Sequence, residues 1–283
     1  MNDSLFIALQ RITPQNTLSR LAGFVASSEN DFVKRSMISW FVKKYRVDMS
    51  QALEEDPFAY ANFNAFFTRA LKPDARPIDT GEDSICCPAD GSVSQIGNIE
   101  GERIFQAKGQ SFSTLELLGG DTEYAALYQN GLFTTVYLSP RDYHRVHLPF
   151  SGKLVKTTHI PGKLFSVNTA TAANVPRLFA RNERVACHFE TSVGPMTVVL
   201  IGAMIVASIE TVWAGLITPI KREVRHIDYG KQPAFNFEKG EEIGRFLLGS
   251  TAIVLLPKGC ARWNKELIAG SPVVMGQRIG TVL

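Results

Sequence analysis

Two periodicities divide the chain. Near the amino terminus a short apolar run, Leu5-Phe6-Ile7-Ala8-Leu9, ends near Pro14, and Leu18, Leu21, Ala22 and Val25 then recur at helical spacing. Farther on, Val33, Met37, Trp40 and Phe41 fall on one side of a helix, and Arg35, Ser36, Ser39, Lys43 and Arg46 on another. Beyond about Pro77 the repeat shortens. Thr134-Thr135-Val136-Tyr137-Leu138 and the runs from Met196 to Leu200 and from Ala252 to Leu256 are apolar, β-branched stretches separated by Gly, Pro and Asn turns. The pattern predicts an α+β fold: an amphipathic helical region over residues 1–77 on a mostly antiparallel β domain over residues 78–283. Pro88-Ala89-Asp90-Gly91-Ser92-Val93 and Pro149-Phe150-Ser151-Gly152-Lys153-Leu154 share one spacing of Pro, Gly and an aliphatic residue. They are either echoes of a repeated β-hairpin unit, like that of biotinyl or lipoyl carrier domains, or two turns of one type.

Composition narrows the class. A chain of 283 residues with 45% apolar side chains buries a large core. Its longest apolar stretch, from Met196 to Ile209, falls short of the ~20 residues of a spanning helix and reads as one or two buried strands. Met1-Asn2-Asp3-Ser4 has no basic stretch, so no secretory signal is expected. Cys86, Cys87, Cys187 and Cys260 have neither metal-ligand spacing nor the density of a disulfide framework, so no metal site is expected and a reducing compartment is favoured. The net charge of +3 is small but uneven, with Lys34, Arg35, Lys43, Lys44 and Arg46 and no acid between Phe32 and Arg46. Such basic amphipathic helices either pack on the protein's own core or lie on anionic bilayers. No basic stripe interleaved with aromatics occurs elsewhere, so nucleic acid is not an expected partner.

The candidate chemistry centres on Leu248-Gly249-Ser250-Thr251, ahead of the apolar run Ala252-Ile253-Val254-Leu255-Leu256. A Gly-Ser bond in a tight bend is either an ordinary turn or a site where the serine hydroxyl meets the preceding carbonyl carbon. Two companions favour the second. Asp90 supplies an acid at a turn, and Tyr143-His144-Arg145-Val146-His147, between Pro140 and Pro149, supplies two histidines. Acid, imidazole and hydroxyl are the parts of an activated nucleophile. In an extended segment His144 and His147 would face opposite sides; in a turn they would converge.

Several motifs together resemble the bacterial phosphatidylserine decarboxylases across essentially the whole chain. They are Phe63-Asn64-Ala65-Phe66-Phe67-Thr68-Arg69, Leu71-Lys72-Pro73, Ala75-Arg76-Pro77, the segments from Pro88 to Ser92 and from Tyr143 to His147, Phe165-Ser166-Val167-Asn168, Gly240-Glu241-Glu242, Gly244-Arg245-Phe246, and the Leu248 to Thr251 motif. The resemblance implies a proenzyme in which Asp90, His147 and Ser250 drive cleavage between Gly249 and Ser250. The products would be a β subunit, 1–249, and an α subunit, 250–283, opening with a pyruvoyl group made from Ser250. A ketone there would take the amine of phosphatidylserine as a Schiff base and accept the electrons left when carbon dioxide departs, the role of pyridoxal phosphate elsewhere. His144 is the first candidate to return a proton to the α-carbon, and Tyr137 is a further candidate at the substrate. The implied setting is peripheral, at the cytoplasmic face of the bacterial cell membrane, with an anionic membrane surface as partner and a homodimer of processed units left open.

Other features are weighed beside this. His159, His188 and His226 are expected to be structural. Phe66 and Phe67 are expected to dock a helix, with Arg69 and Lys72 in solvent or paired; the alternative is that these residues hold lipid or phosphate. Lys108-Gly109-Gln110-Ser111 is expected to be an exposed turn. A serine hydrolase using Asp90, His147 and Ser250 is the rival reading, but Gly249-Ser250-Thr251-Ala252 lacks the second glycine of a nucleophile elbow. A membrane-tethered, non-catalytic β module would leave these motifs without a purpose.

Overall fold

A computed structural model describes residues 15–203, 208–217, 223–230, 235–247 and 250–283. Leu248, Gly249 and the apolar run at residues 5–9 lie outside them. Among the described residues, seven α-helices accompany strands that pair antiparallel, the α+β class that the periodicity predicts. No described helix is long and apolar enough to cross a membrane.

The main sheet places Ser250–Leu256 between Gly194–Ile201 and Leu132–Leu138. Every residue of Ser250–Leu256 is buried, because both faces of the sheet are covered, and its sequence therefore runs apolar without alternating. Side chains still alternate in direction. Ala252, Val254 and Leu256 join Val136, Leu138 and Val146 in one core. Ile253 and Leu255 join Phe133 and Val199 in another. The first core is closed by small sheets that include Ser84–Cys86, Arg278–Val282 and Glu242–Phe246, the second by the hairpin Arg103–Ala107 with Gln110–Ser113 and by short helices. Lys108 and Gly109 form the exposed turn of that hairpin, at φ 46° and 75°.

Both Pro-x-x-Gly turns lead into the main sheet: Gly91 opens the strand Gly91–Asn98 and Gly152 opens Gly152–Ile160. Gly91 has a steric reason to be glycine. A Cβ there would lie 2.1 Å from the Tyr137 carbonyl oxygen. That close approach fixes where the Asp90 turn meets the neighbouring strand.

The helices Gln15–Ala26, Asp31–Tyr45 and Phe63–Phe67 build a third, aromatic core. Asn30 caps the second of them by accepting from the Phe32 and Val33 amides. Its buried row is Ile38 and Phe41, the latter 5.1 Å from the Phe63 ring and 5.6 Å from that of Phe67. The expected face is thus corrected at two places. Trp40, one residue and about 100° round the helix from Phe41, is 54% exposed and lies under the Lys44 ammonium. Arg46 leaves the helix in a left-handed cap at φ 53°.

Candidate active site

Two backbone crossings bring the predicted residues to one corner. Ser250 starts its strand opposite Leu138. The chain leaving Leu138 turns at Ser139–Asp142, where the Asp142 carboxylate accepts from the Ser139 amide at 2.7 Å. It returns at His144, whose carbonyl accepts from the Phe246 amide at 3.0 Å. Leu138 is therefore tied to Ser250, and His144 to Phe246. The strand Arg145–His147 then pairs with Glu242–Phe246, and the His147 amide donates to the Pro88 carbonyl at 2.8 Å, which holds the Asp90 turn alongside.

Ser250 is fully buried, and its Oγ has no hydrogen-bond partner among the described residues. By alternation it shares the face of Ala252 and Val254. Leaving a buried hydroxyl unpaired costs about 1–3 kcal/mol, a cost that the buried Thr114, Thr134 and Thr211 hydroxyls also carry. The Thr251 hydroxyl beside it is also unpaired.

His144 has no exposed surface and packs on Phe67, ring centroids 4.0 Å apart. Its Nδ1 lies 2.7 Å from the Asp142 carbonyl, so Nδ1 carries the proton and Nε2 presents a lone pair, which has no partner among the described residues. Burial pulls its pKa down to about 3, leaving a neutral imidazole. His147 is engaged at both nitrogens. Nδ1–H donates to the Gly240 carbonyl at 2.8 Å, and Nε2 accepts from the Tyr143 hydroxyl at 3.0 Å. Burial lowers its pKa as well, and pushes that of Tyr143 up to about 12, keeping the phenol a donor. The Gly240 carbonyl reaches His147 from a turn with φ 86°, where a Cβ would strike Ile78 at 2.8 Å.

Asp90 faces Arg76 and the Met275 amide. Its Oδ1 accepts from Arg76 Nε and from the Met275 N–H, each at 2.8 Å, and its Oδ2 accepts from Arg76 Nη2. Asp90, His147 and Ser250 are brought near one corner, but no hydrogen bond joins them to one another among the described residues. His144 and His147 do not converge either, since the extended run gives each its own neighbours. Tyr137 pairs with Thr251 and packs into the second core, on the sheet face opposite to Ser250. Gly249 lies outside the described residues. Sequence reasoning missed Arg76, although it stands in the quoted Ala75-Arg76-Pro77 motif, and it saw Tyr143 only as a neighbour of the histidines.

Of the three histidines expected to be structural, His159 bonds Glu183 at 2.9 Å and His226 bonds the Thr158 hydroxyl at 3.1 Å. His188 bonds the Thr197 hydroxyl at 2.8 Å, and burial holds its pKa at about 3. A depressed histidine pKa makes folding acid-sensitive with a definite sign. Above the unfolded value near 6.5 neither state is charged; below it the unfolded chain takes protons that the folded chain refuses. Stability is expected to be full above pH 7 and to fall as pH drops from 6.5 towards 3, by about 2 kcal/mol at pH 5 for each fully buried histidine. Thermal melts of wild type and His188→Gln check this: the variant's decline should be shallower, and parallel declines would show that His188 contributes nothing to it.

A buried serine at the head of the central strand of an α+β chain, with two buried histidines on the segment that follows the neighbouring strand Leu132–Leu138, has the makings of an enzyme centre, and known proteins specify which. Residues 63–281 match the family model described as phosphatidylserine decarboxylase, and residues 5–46 match a second, described as PSD. Proteins named phosphatidylserine decarboxylase proenzyme from Pseudomonas fluorescens (strain SBW25) and Ectopseudomonas mendocina (strain ymp) are similar to it. They are 59% and 58% identical over 281 and 282 residues, covering 99% of this chain and 98% and 99% of theirs. A relative of that name from Pseudomonas putida (strain W619) is 58% identical over 279 residues, 98% of this chain and 97% of its own. The chain belongs to the phosphatidylserine decarboxylase family and is an enzyme, a decarboxylase of the lyase class.

Proposed function

We propose that the chain cuts itself between Gly249 and Ser250 and then converts phosphatidylserine to phosphatidylethanolamine and carbon dioxide. The observation that carries the reading is the buried, unpartnered Ser250 Oγ at the start of the central strand. The hydroxyl oxygen attacks the Gly249 carbonyl carbon and displaces the Ser250 nitrogen, giving an ester. Removal of the Ser250 α-proton expels the Gly249 carboxylate and leaves dehydroalanine, and water replaces its nitrogen, released as ammonia. His147 takes the hydroxyl proton once its Nε2 exchanges the Tyr143 hydroxyl for that of Ser250. Asp90, held by Arg76, favours the imidazolium by its charge.

The buried Ser250 hydroxyl, at the head of the central strand and on the carboxyl side of Gly249, fits residue 250 as the site of a pyruvoyl group. That group would supply a ketone able to bind the substrate amine and to hold the electrons left when carbon dioxide departs. His144 works beside it. Its free Nε2 accepts the proton that the substrate ammonium must lose to become nucleophilic, and gives it to the α-carbon after carbon dioxide leaves. Tyr137, on the opposite face, is assigned no step. A serine hydrolase is not favoured by any of these features.

The helical region, residues 1–77, is proposed to rest on the membrane surface, and the β domain, residues 78–283, to carry the chemistry. Leu21, Phe24, Phe32 and Trp40 are 63%, 79%, 81% and 54% exposed, and Lys43 and Lys44 are exposed beside Trp40. Apolar side chains with flanking cations suit an anionic interface, and each Lys or Arg at the surface contributes about 1 kcal/mol. The setting proposed is the cytoplasmic face of the bacterial membrane.

One experiment tests both parts. The purified chain, incubated with phosphatidylserine vesicles, should release carbon dioxide, pellet with the vesicles, and separate on denaturation into masses for residues 1–249 and for 250–283 opening in pyruvoyl. An active preparation of uncut chain would overturn the mechanism. A Phe24→Glu, Phe32→Glu, Trp40→Glu variant that pellets as well as wild type would remove the helices from the membrane.

A further inference from the structure

Arg69 is a buried cation that the chemistry above leaves unused. The sequence suggests a basic residue in solvent or in an ion pair; the structure places it at 3% exposure and in no salt bridge among the described residues. Its Nη2 donates to the Arg141 carbonyl at 3.2 Å, while Nε and Nη1 have no acceptor among the described residues. Its neighbours are satisfied. Arg76 is held by Asp90, and Arg145 by Glu242 at 2.8 Å. Nearby carboxylates are already engaged, Asp142 with the Ser139 amide and Asp48 with Ser50. A guanidinium taken out of water with idle donors is costly unless an anion completes it.

Its position says what kind of anion. Arg69 follows the helix Phe63–Phe67, whose rings belong to the aromatic core of the helical region, while Phe67 also packs on His144 at 4.0 Å. The Arg141 carbonyl that it touches belongs to the turn leading to His144. It therefore stands between the apolar helices and the reacting corner. A phospholipid threaded from membrane to Ser250 passes through the same order: acyl glycerol, phosphodiester, serine. Arginine donors match phosphate oxygens. The substrate carboxylate is the poorer match, because a cation fixed on it would stabilise the charge that must leave as carbon dioxide and so bind the ground state better than the transition state. The phosphodiester charge is the same throughout.

Building on the decarboxylase reading, we propose that Arg69 anchors the phosphodiester of the substrate headgroup through its free Nε and Nη1 donors. The test uses Arg69→Gln and Arg69→Lys, with processing checked by mass. Turnover is measured on dihexanoyl phosphatidylserine, and binding of dihexanoyl phosphatidylethanolamine, which keeps the phosphodiester and lacks the carboxylate, by calorimetry. Arg69→Gln should raise KM and the Kd of the ethanolamine lipid together by about tenfold or more, with kcat within about threefold of wild type, and Arg69→Lys should shift both less. A raised KM with unchanged affinity for the ethanolamine lipid would move Arg69 to the carboxylate and overturn the proposal. So would a fall in kcat alone, which is what a structural role produces. If Arg69→Gln does not mature, Arg69→Lys carries the comparison, and equal Kd values for it and wild type count against the assignment. Absence of carbon dioxide from wild type would defeat the reaction reading, whereas the calorimetry judges Arg69 without turnover.

Discussion

Ser250→Ala leaves the chain in one piece. The substitution removes only the Oγ, which has no hydrogen-bond partner among the described residues and lies in a strand whose other residues stay packed, so the fold is expected to survive and even to gain slightly. Without that oxygen no ester forms at Gly249, and without the ester there is no elimination. The effect is all or none. Intact mass under denaturing conditions should show the 283-residue precursor alone, and decarboxylation should fall to background. A cleaved Ser250→Ala chain would show that the hydroxyl is not the nucleophile.

His144→Ala is expected to separate making the site from using it. The variant should still divide at Gly249, because the proton transfer there is assigned to His147, yet decarboxylate about 10²–10⁴-fold more slowly, the usual contribution of a positioned acid or base. The loss should appear in kcat more than in KM, since the imidazole moves a proton and does not hold the lipid. Mass spectra and turnover read on one preparation decide the matter. Failure to mature would make the unpartnered Nε2 of His144 the base for Ser250, and normal turnover would reduce this histidine to a packing partner of Phe67.

Much of the β architecture was legible before any coordinates, and for a specific reason. Leu132–Leu138, Gly194–Ile201 and Ser250–Leu256 are buried on both faces, so their β-branched runs are long and free of charge. The helical phase was harder. Asp31–Tyr45 has aromatics on adjacent flanks, and only the docking of Phe63–Phe67 decides that Phe41 enters the core while Trp40 stays outside. The same holds at the site. Asp90, His144, His147 and Ser250 could be picked out as chemistry-bearing types, but their partners are backbone carbonyls and distant side chains: Asp142 and Gly240 carbonyls for the histidines, Arg76 for the acid. A carbonyl has no letter in the sequence. Arg69 illustrates the limit most sharply, because whether an arginine is paired depends on which carboxylates the fold has already committed.

The central place of Ser250–Leu256 reaches beyond catalysis. After a cut at residue 249 the carboxy-terminal piece stays woven in, through Leu132–Leu138 and Gly194–Ile201 on either side, through Gly91 and Ser92 by way of Pro272–Val273, and through Ser84–Cys86 by way of Arg278–Val282. The precursor folds as one chain, with those strands tethered and their encounter independent of concentration. The mature protein would have to reassemble from two separate chains after melting, a second-order event competing with aggregation of the exposed strands. Cleavage at that bond would thus turn a molecule able to refold into one whose lifetime depends on never unfolding.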